Sequence, residues 1–508
     1  DKITNGGNGT VFVPLKADDP LIAGPDHIFG NTDDLPPQLQ FMMLTRGSIV
    51  PGTDHDAMNT DTPFVDQSQT YTSHSSHQVF LREYKLVDGK PMATGKFLST
   101  PDGGMANWKL IKEKAATMLG LQLVDVDVNN IPMIAADQYG NFKPGPVRGM
   151  PQYVTTSGSG LVEGDPAANG GLGVPAPLDV VRIETAFLND IAHSAGPGKI
   201  GAPLPVDTDA TAGGSLDTTV PPGSYDNELL DLHFICGDGR CNENIGLTAI
   251  HQVFHMEHDR LVDYFYHDDG SNIPGSVNGV LVQDQALLAD YQAINNPSVN
   301  GFDVTKPVTF TFEERLFQAA RFVTEMQYQH LVFEEFARKV QPLINPFEPF
   351  AFNQTDLNSA ISAEFAHAVY RFGHSMLTES LPRINEDGTH NDIGLLEGFL
   401  NPAAFHDGGT AGILETPEAT GAIIMGLSDQ VGNEIDEFVT ETLRNNLLGL
   451  PLDLASINMA RARSEGIPSL NNVRRQILAA TNDGQMAPYA NWVDFREGLK
   501  HPESLVNF

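Results

Sequence analysis

The chain has 508 residues, 41% of them hydrophobic and 19% charged, which is enough apolar material for a large core and excludes a disordered tail. Its 65 acidic and 30 basic residues leave a formal charge of -35, which repels phosphate backbones and anionic lipid surfaces and argues against a nucleic-acid partner. No run approaches the roughly eighteen apolar residues of a membrane span.

Residues 1–60 carry Gly, Pro, Asn and Asp every few positions around short apolar runs such as Thr10–Val13 and Phe41–Leu44, and read as loops with short strands. Residues 157–223 are the most Gly/Pro-rich stretch, read as a surface excursion with one helical pattern near Leu178 to Ala195. From about Glu243 the pattern turns helical, through His251 to Leu261. The strongest segment runs from Thr311 to Val340, where Thr311 and Glu314 have capping-box spacing. Further helices are expected over about 358–377, with Ile361, Phe365, Ala368 and Phe372 on one face, over 429–448, and over 470–480. The fold class is therefore mainly α. No composition break divides the chain, so a single domain over 1–508 stays open.

Three constellations could carry chemistry. Arg371-Phe372-Gly373-His374 puts a histidine near the end of an apolar helix, beside a glycine that lets a flat ligand approach the backbone. A lone helical histidine is more often a core residue than a ligand. Gly237-Asp238-Gly239-Arg240 is a tight turn feeding the helix that holds His251, His255 and His258, whose spacing could offer a metal site, although no zinc signature is completed. Thr62, Phe64, Asp66 and Ser68 alternate oxygen ligands in a compact loop, which suits calcium and equally suits an ordinary hydroxyl-rich turn. The two cysteines, Cys236 and Cys241, flank the Gly-Asp-Gly-Arg turn; its geometry permits a disulfide in an oxidising compartment, and two free thiols are the alternative.

In order and wording these blocks resemble the animal-type haem peroxidases, the peroxidase and cyclooxygenase superfamily, and most closely its bacterial members. The resemblance rests on Thr62 to Ser68, Arg240 with Glu243, Leu247 to His251, Glu257 to Leu261, Leu316 to Arg321, Arg371 to His374, and Asn458, Arg461 and Arg463 ahead of Gly466-Ile467-Pro468. It implies a mainly α haem peroxidase fold, with a helical core around the haem and long loop excursions.

Residue by residue, the resemblance makes His374 the proximal iron ligand and Asn458 the acceptor of its other ring N–H. Arg240 becomes the distal cation at the breaking peroxide bond. Glu243 matches a glutamate that can form an ester to haem b, Arg461 an arginine that pairs with a propionate, and Arg371 stands beside the cofactor. Thr62, Phe64, Asp66 and Ser68 match a calcium loop. The implied function is a secreted, extracellular or periplasmic peroxidase that reduces hydrogen peroxide and oxidises a small donor: a halide, a phenol or Mn(II).

The sequence departs from the family pattern in places. The distal-histidine motif Gly-Gln-Phe-x-x-Asp-His does not occur in residues 1–61, and His27 and His55 lack its context. The expectation is that it lies upstream of Asp1 or on a companion chain, and that the extreme C-terminus of the domain lies beyond Phe508. A leader peptide is expected to have been removed or to lie upstream. Asn244 stands where some members have a haem-linked methionine, which excludes that link, and Ser464-Glu465 replaces Asp-His. Fatty-acid dioxygenases of the superfamily need a tyrosine where this chain has Arg371; Tyr370 sits about 100° away around a helix, which favours peroxidase chemistry. A non-catalytic haem- and calcium-binding protein is the remaining alternative.

Overall fold

The computed structural model describes residues 10–45 apart from 20–21, 24–27 and 32–33, residues 67–265 apart from 158–159, 215–216 and 218, residues 311–346 apart from 345, and residues 361–508 apart from 450–451. Its main helices are α1 (Ser68–Tyr71), α2 (Ser75–Leu81), α3 (Trp108–Leu119), α4 (Asn227–Leu232), α5 (Ile245–Phe265), α6 (Phe312–His330), α7 (Ala363–His367), α8 (Thr416–Asp429), α9 (Leu454–Ser464) and α10 (Leu470–Thr481). Every sheet among the described residues has two strands, so the mainly α expectation holds. The expected early strands pair antiparallel as β1 (Thr10–Pro14) and β2 (Phe41–Thr45).

The α5 helix is the axis. Asn244 caps it, its Oδ1 accepting the Leu247 N–H at 2.9 Å. One flank buries Ile245 and Ala249 in a cluster with Phe234, Cys236, Cys241, Phe405 and Ile423. Farther along, Leu261 and Val262 pack on Leu316 and Ala320 of α6. A larger cluster gathers Tyr71, Phe80, Trp108, Leu121, Phe187 and Phe317. The hairpin of β3 (Arg82–Val87) and β4 (Lys90–Phe97) turns through Asp88 and Gly89, both at positive φ. It delivers the Phe97 N–H to Asp259 of α5 at 2.9 Å.

Thr311 caps α6 as the spacing predicts, accepting the Glu314 N–H at 3.1 Å. The reciprocal half of the box is missing. Glu314 instead pairs with Arg82, and both side chains are buried, because a guanidinium taken out of water needs a carboxylate more than a helix end does. Beyond α6 the winding widens over Leu331–Ala337 before the last turn, Arg338–Val340.

Other helix boundaries differ from expectation. The segment over 358–377 is described only from residue 361, where it is not one helix: α7 stops at Ala368 (φ -127°, ψ -66°) and a tighter turn, Val369–Met376, follows. Its expected inner face at Ile361 and Phe365 is exposed, so packing does not hold a short helix straight. Over 429–448 the helix lies earlier, as α8, which ends at Asp429; beyond it only Glu441–Asn445 is α-helical within the predicted range, followed by a 3-10 turn, Leu447–Gly449. Between them the chain runs beside 375–377, with Asn433 N–H donating to Met376 O at 3.0 Å and Asp436 N–H to Ser375 Oγ at 3.3 Å. The predicted 470–480 helix is α10.

No α-helix forms over Leu178 to Ala195, where only a 3-10 turn, His193–Ala195, closes the stretch. The stretch bridges to Pro132 and Thr155 and sends Phe187, Leu188, Ala192 and Ala195 into the core. Apolar residues that touch several neighbours mimic helical spacing without requiring it.

Candidate active site

His374 closes the Val369–Met376 turn, and Asn458 sits on the buried side of α9. The Asn458 side-chain amide lies 3.0 Å from His374 Nδ1, and its remaining atom, Oδ1, is buried without a partner. Amide oxygen and nitrogen are interchangeable in such a placement. Turning the amide lets Oδ1 accept Nδ1–H, which leaves Nε2 with its lone pair for a metal. Burial, and then the charge of Arg371, hold the His374 pKa below the ordinary histidine value, which favours the neutral imidazole.

His374 lines a cleft with His367, Arg371, Phe372, Asp436 and Asn458. A Cβ built on Gly373 would meet no atom within 4 Å, so space is open beside the histidine. Arg371 and Arg461 each keep Nε buried without a hydrogen-bond partner. Burial first, and Arg461 second, press the Arg371 pKa below the usual arginine range. Two cations that disfavour each other in this way are stabilised by carboxylates.

Arg240 and Glu243 form a second group. The loop that carries them is closed at its stem by Asn242, whose amide accepts the Phe234 N–H at 2.9 Å and donates to the Phe234 carbonyl at 2.8 Å. Arg240 forks onto Asp238, Nε to Oδ1 at 2.8 Å and Nη2 to Oδ2 at 2.7 Å, with 67% of its side chain exposed. Burial works to raise the Asp238 pKa, but these bonds to Arg240 carry it below the carboxylate norm. Glu243 goes the other way, pushed up by burial and then by Asp190. Asp190 escaped sequence reasoning; the Gly239 carbonyl accepts its N–H at 3.2 Å, a contact with no local sequence signal.

The structure thus brings His374, Asn458, Arg371 and Arg461 together, and Arg240 together with Glu243. Thr62, Phe64 and Asp66 of the expected calcium loop lie outside the described residues, and Ser68 opens α1. The Gly237 backbone is wedged against that helix: a Cβ there would overlap Ser68 O and Thr72 N and meet Thr70 C at 2.7 Å. The three α5 histidines do not converge. His251 neighbours Cys236, His255 bonds Ser99 at 2.9 Å, and His258 bonds Tyr71 at 2.8 Å. The cysteines are free thiols. Asn244 has a structural task, as the α5 cap.

A family model described as animal haem peroxidase matches residues 212–497, more than half of the chain. The chain belongs to the animal haem peroxidase family. Peroxinectin A of Dictyostelium discoideum is 26% identical over 297 residues, covering 57% of this chain and 45% of that protein. Peroxidasin of Drosophila melanogaster is 24% identical over 289 residues, covering 54% and 16%. The chain therefore spans less than half the length of these relatives. Among solved structures, peroxidase A from Dictyostelium discoideum aligns at a TM-score of 0.40 and 18% identity over 86% of this chain and 75% of that one.

For an animal haem peroxidase the residues on the His374 side suit the cofactor: an imidazole with one nitrogen engaged, open space at Gly373, and two arginines with unpartnered Nε atoms. The family match encloses Arg240, Glu243, Arg371, His374, Asn458 and Arg461, and leaves Ser68 and the loop before it outside.

Proposed function

We propose that this chain is the catalytic part of a haem-dependent peroxidase, which reduces hydrogen peroxide and oxidises a small donor. The observation that carries the reading is the His374–Asn458 pair, 3.0 Å apart and 84 positions apart in the chain, inside the segment that the family model matches. Bound haem b supplies the two-electron reduction of peroxide. His374 would ligate the iron through Nε2, and Asn458 would hold the ring by its Nδ1–H. Arg371 and Arg461 would take the propionates. Arg240 would stabilise negative charge on the departing oxygen, with Asp238 fixing the orientation of its guanidinium.

Glu243 would be the ester-forming carboxyl. Thr62, Phe64, Asp66 and Ser68 would hold calcium and so brace α1, against which Gly237 rests. The donor class is a halide, a phenol or Mn(II). Chain acidity and the calcium loop support a secreted, extracellular or periplasmic location. No helix among the described residues is long and apolar enough to cross a membrane.

The test is an absorption spectrum of the purified protein with haem, before and after hydrogen peroxide and then after iodide, guaiacol or Mn(II). A Soret band that shifts with peroxide and returns with donor supports the reading. No Soret band in the wild type, or one unchanged in the H374A variant, overturns the assignment of the ligand.

A further inference from the structure

The Gly237–Arg240 turn has a cysteine at each end. Cys236 is 5% exposed and Cys241 0%, and both belong to the cluster around Phe234, Ile245 and Ala249. Their sulfurs hold the turn's own backbone: the Cys236 thiol donates to Asp238 O at 2.9 Å, and the Cys241 thiol to Phe234 O at 3.3 Å. Since Asn242 ties the stem to Phe234, the two cysteines stand at the two ends of a closed loop, with the Cys241 thiol a neighbour of Cys236. Gly237 is seated on α1, and a Cβ on Gly239 would meet Asn189 N at 2.7 Å, so the backbone between them is already fixed.

Cys236 also faces α5. With His251, His255 and Thr70 it lines an enclosed cavity of about 10 Å³, a volume that admits one water-sized molecule. Burial, and then the Cys241 thiol, push the Cys236 pKa up, while His251 pulls it down. Burial in turn works against protonation of His251, but Cys236 and then Asp238 raise its pKa. The Cys236 thiol and the His251 imidazole therefore meet beside a space the size of one water molecule, with the Cys241 thiol next to Cys236.

We propose that Cys236 and Cys241 are an oxidisable pair, which hydrogen peroxide converts to a disulfide that locks the turn bearing Arg240. His251 accepts the Cys236 proton, and the sulfur attacks one peroxide oxygen. The O–O bond breaks, and water leaves with the proton returned from His251. The Cys236 sulfenic acid then reacts with Cys241: the S–S bond forms, the S–O bond breaks and a second water leaves. Two thiols and one peroxide become one disulfide and two waters. The choice of peroxide as oxidant rests on the proposed function; the pairing does not.

The test uses the full chain, reduced with dithiothreitol, desalted, treated with hydrogen peroxide, then denatured and labelled with N-ethylmaleimide. Trypsin cuts after Arg240, so Cys236 and Cys241 fall in different peptides that only a disulfide can join. The expected result is two labels before peroxide, none after it, and the joined peptides by mass spectrometry. In C241A the product stops at a sulfenic acid on Cys236, trapped by dimedone. In H251Q the cross-link forms about tenfold more slowly and to the same extent. Both thiols still labelled after peroxide, or both over-oxidised without a joined peptide, overturns the proposal, and an unchanged rate in H251Q removes the histidine's part. The readout needs no haem. A chain that cross-links but shows no Soret band sinks the peroxidase reading and leaves this one standing.

Discussion

Asn458 lies 3.0 Å from Nδ1 of His374 across 84 positions of sequence, so one turn and one helix must pack together before either residue has a use. A ring held at Nδ1 presents Nε2 in one direction, and loss of such a partner typically weakens ligation 10–100-fold. The N458A variant is expected to bind haem that much more weakly by titration of the Soret band. N458D, which keeps an acceptor, should retain most of the affinity.

Arg240 is exposed and forked on Asp238. Asp238 is only 28% exposed and is left without its partner when the guanidinium goes, so R240A should lower the unfolding free energy in urea by about 0.5–1 kcal/mol. Its rate of reaction with peroxide, followed by stopped flow, should fall about 10²-fold or more. R240K should resemble R240A in rate, because an ammonium cannot reproduce the planar fork. A near-normal rate in R240K would argue that the charge alone suffices.

Gly237 has no room for a side chain between Ser68 and Thr72. The G237A variant must push the turn off α1, at a cost of about 1–3 kcal/mol in denaturant unfolding. Haem-independent readouts should register the loss, since the contact is between backbones.

Arg82 and Glu314 are a buried pair, with Glu314 also accepting from Gln318 at 2.7 Å. Removing one partner strands the other charge, so R82M is expected to lose about 3–5 kcal/mol by urea unfolding. The double variant R82M/E314L should recover much of that loss, which a simple sum of two damaged sites would not.

Asp259 accepts from Phe97 N–H and from Ser99 Oγ, and burial lifts its pKa to about 7. Between about pH 4 and 7 the unfolded chain loses this proton while the folded one keeps it, so stability falls as pH rises, with a slope of at most about 1.4 kcal/mol per pH unit. The D259N variant should flatten that part of the pH–stability curve, measured as urea midpoints at successive pH values. An unchanged slope would refute the assignment of the proton to Asp259.

The sequence by itself determined the class of the fold, the α5 and α10 helices, the Thr311 cap and the identity of the residues around His374, because helical spacing, capping chemistry and short motifs are local properties. Helix ends were less legible. Whether 358–377 and 429–448 stay helical depends on what their apolar faces meet, and Ile361 and Phe365 meet solvent. The Gly/Pro-rich stretch looked like surface, yet Phe187 and Leu188 are core, since burial is decided by the far side of the contact. Only the tertiary structure joined Asn458 to His374, took Glu314 from its own helix cap to Arg82, and set Cys236 beside His251. Each of those pairings answers the cost of burying a polar or charged group, a demand that arises only when segments distant in sequence close over the same volume.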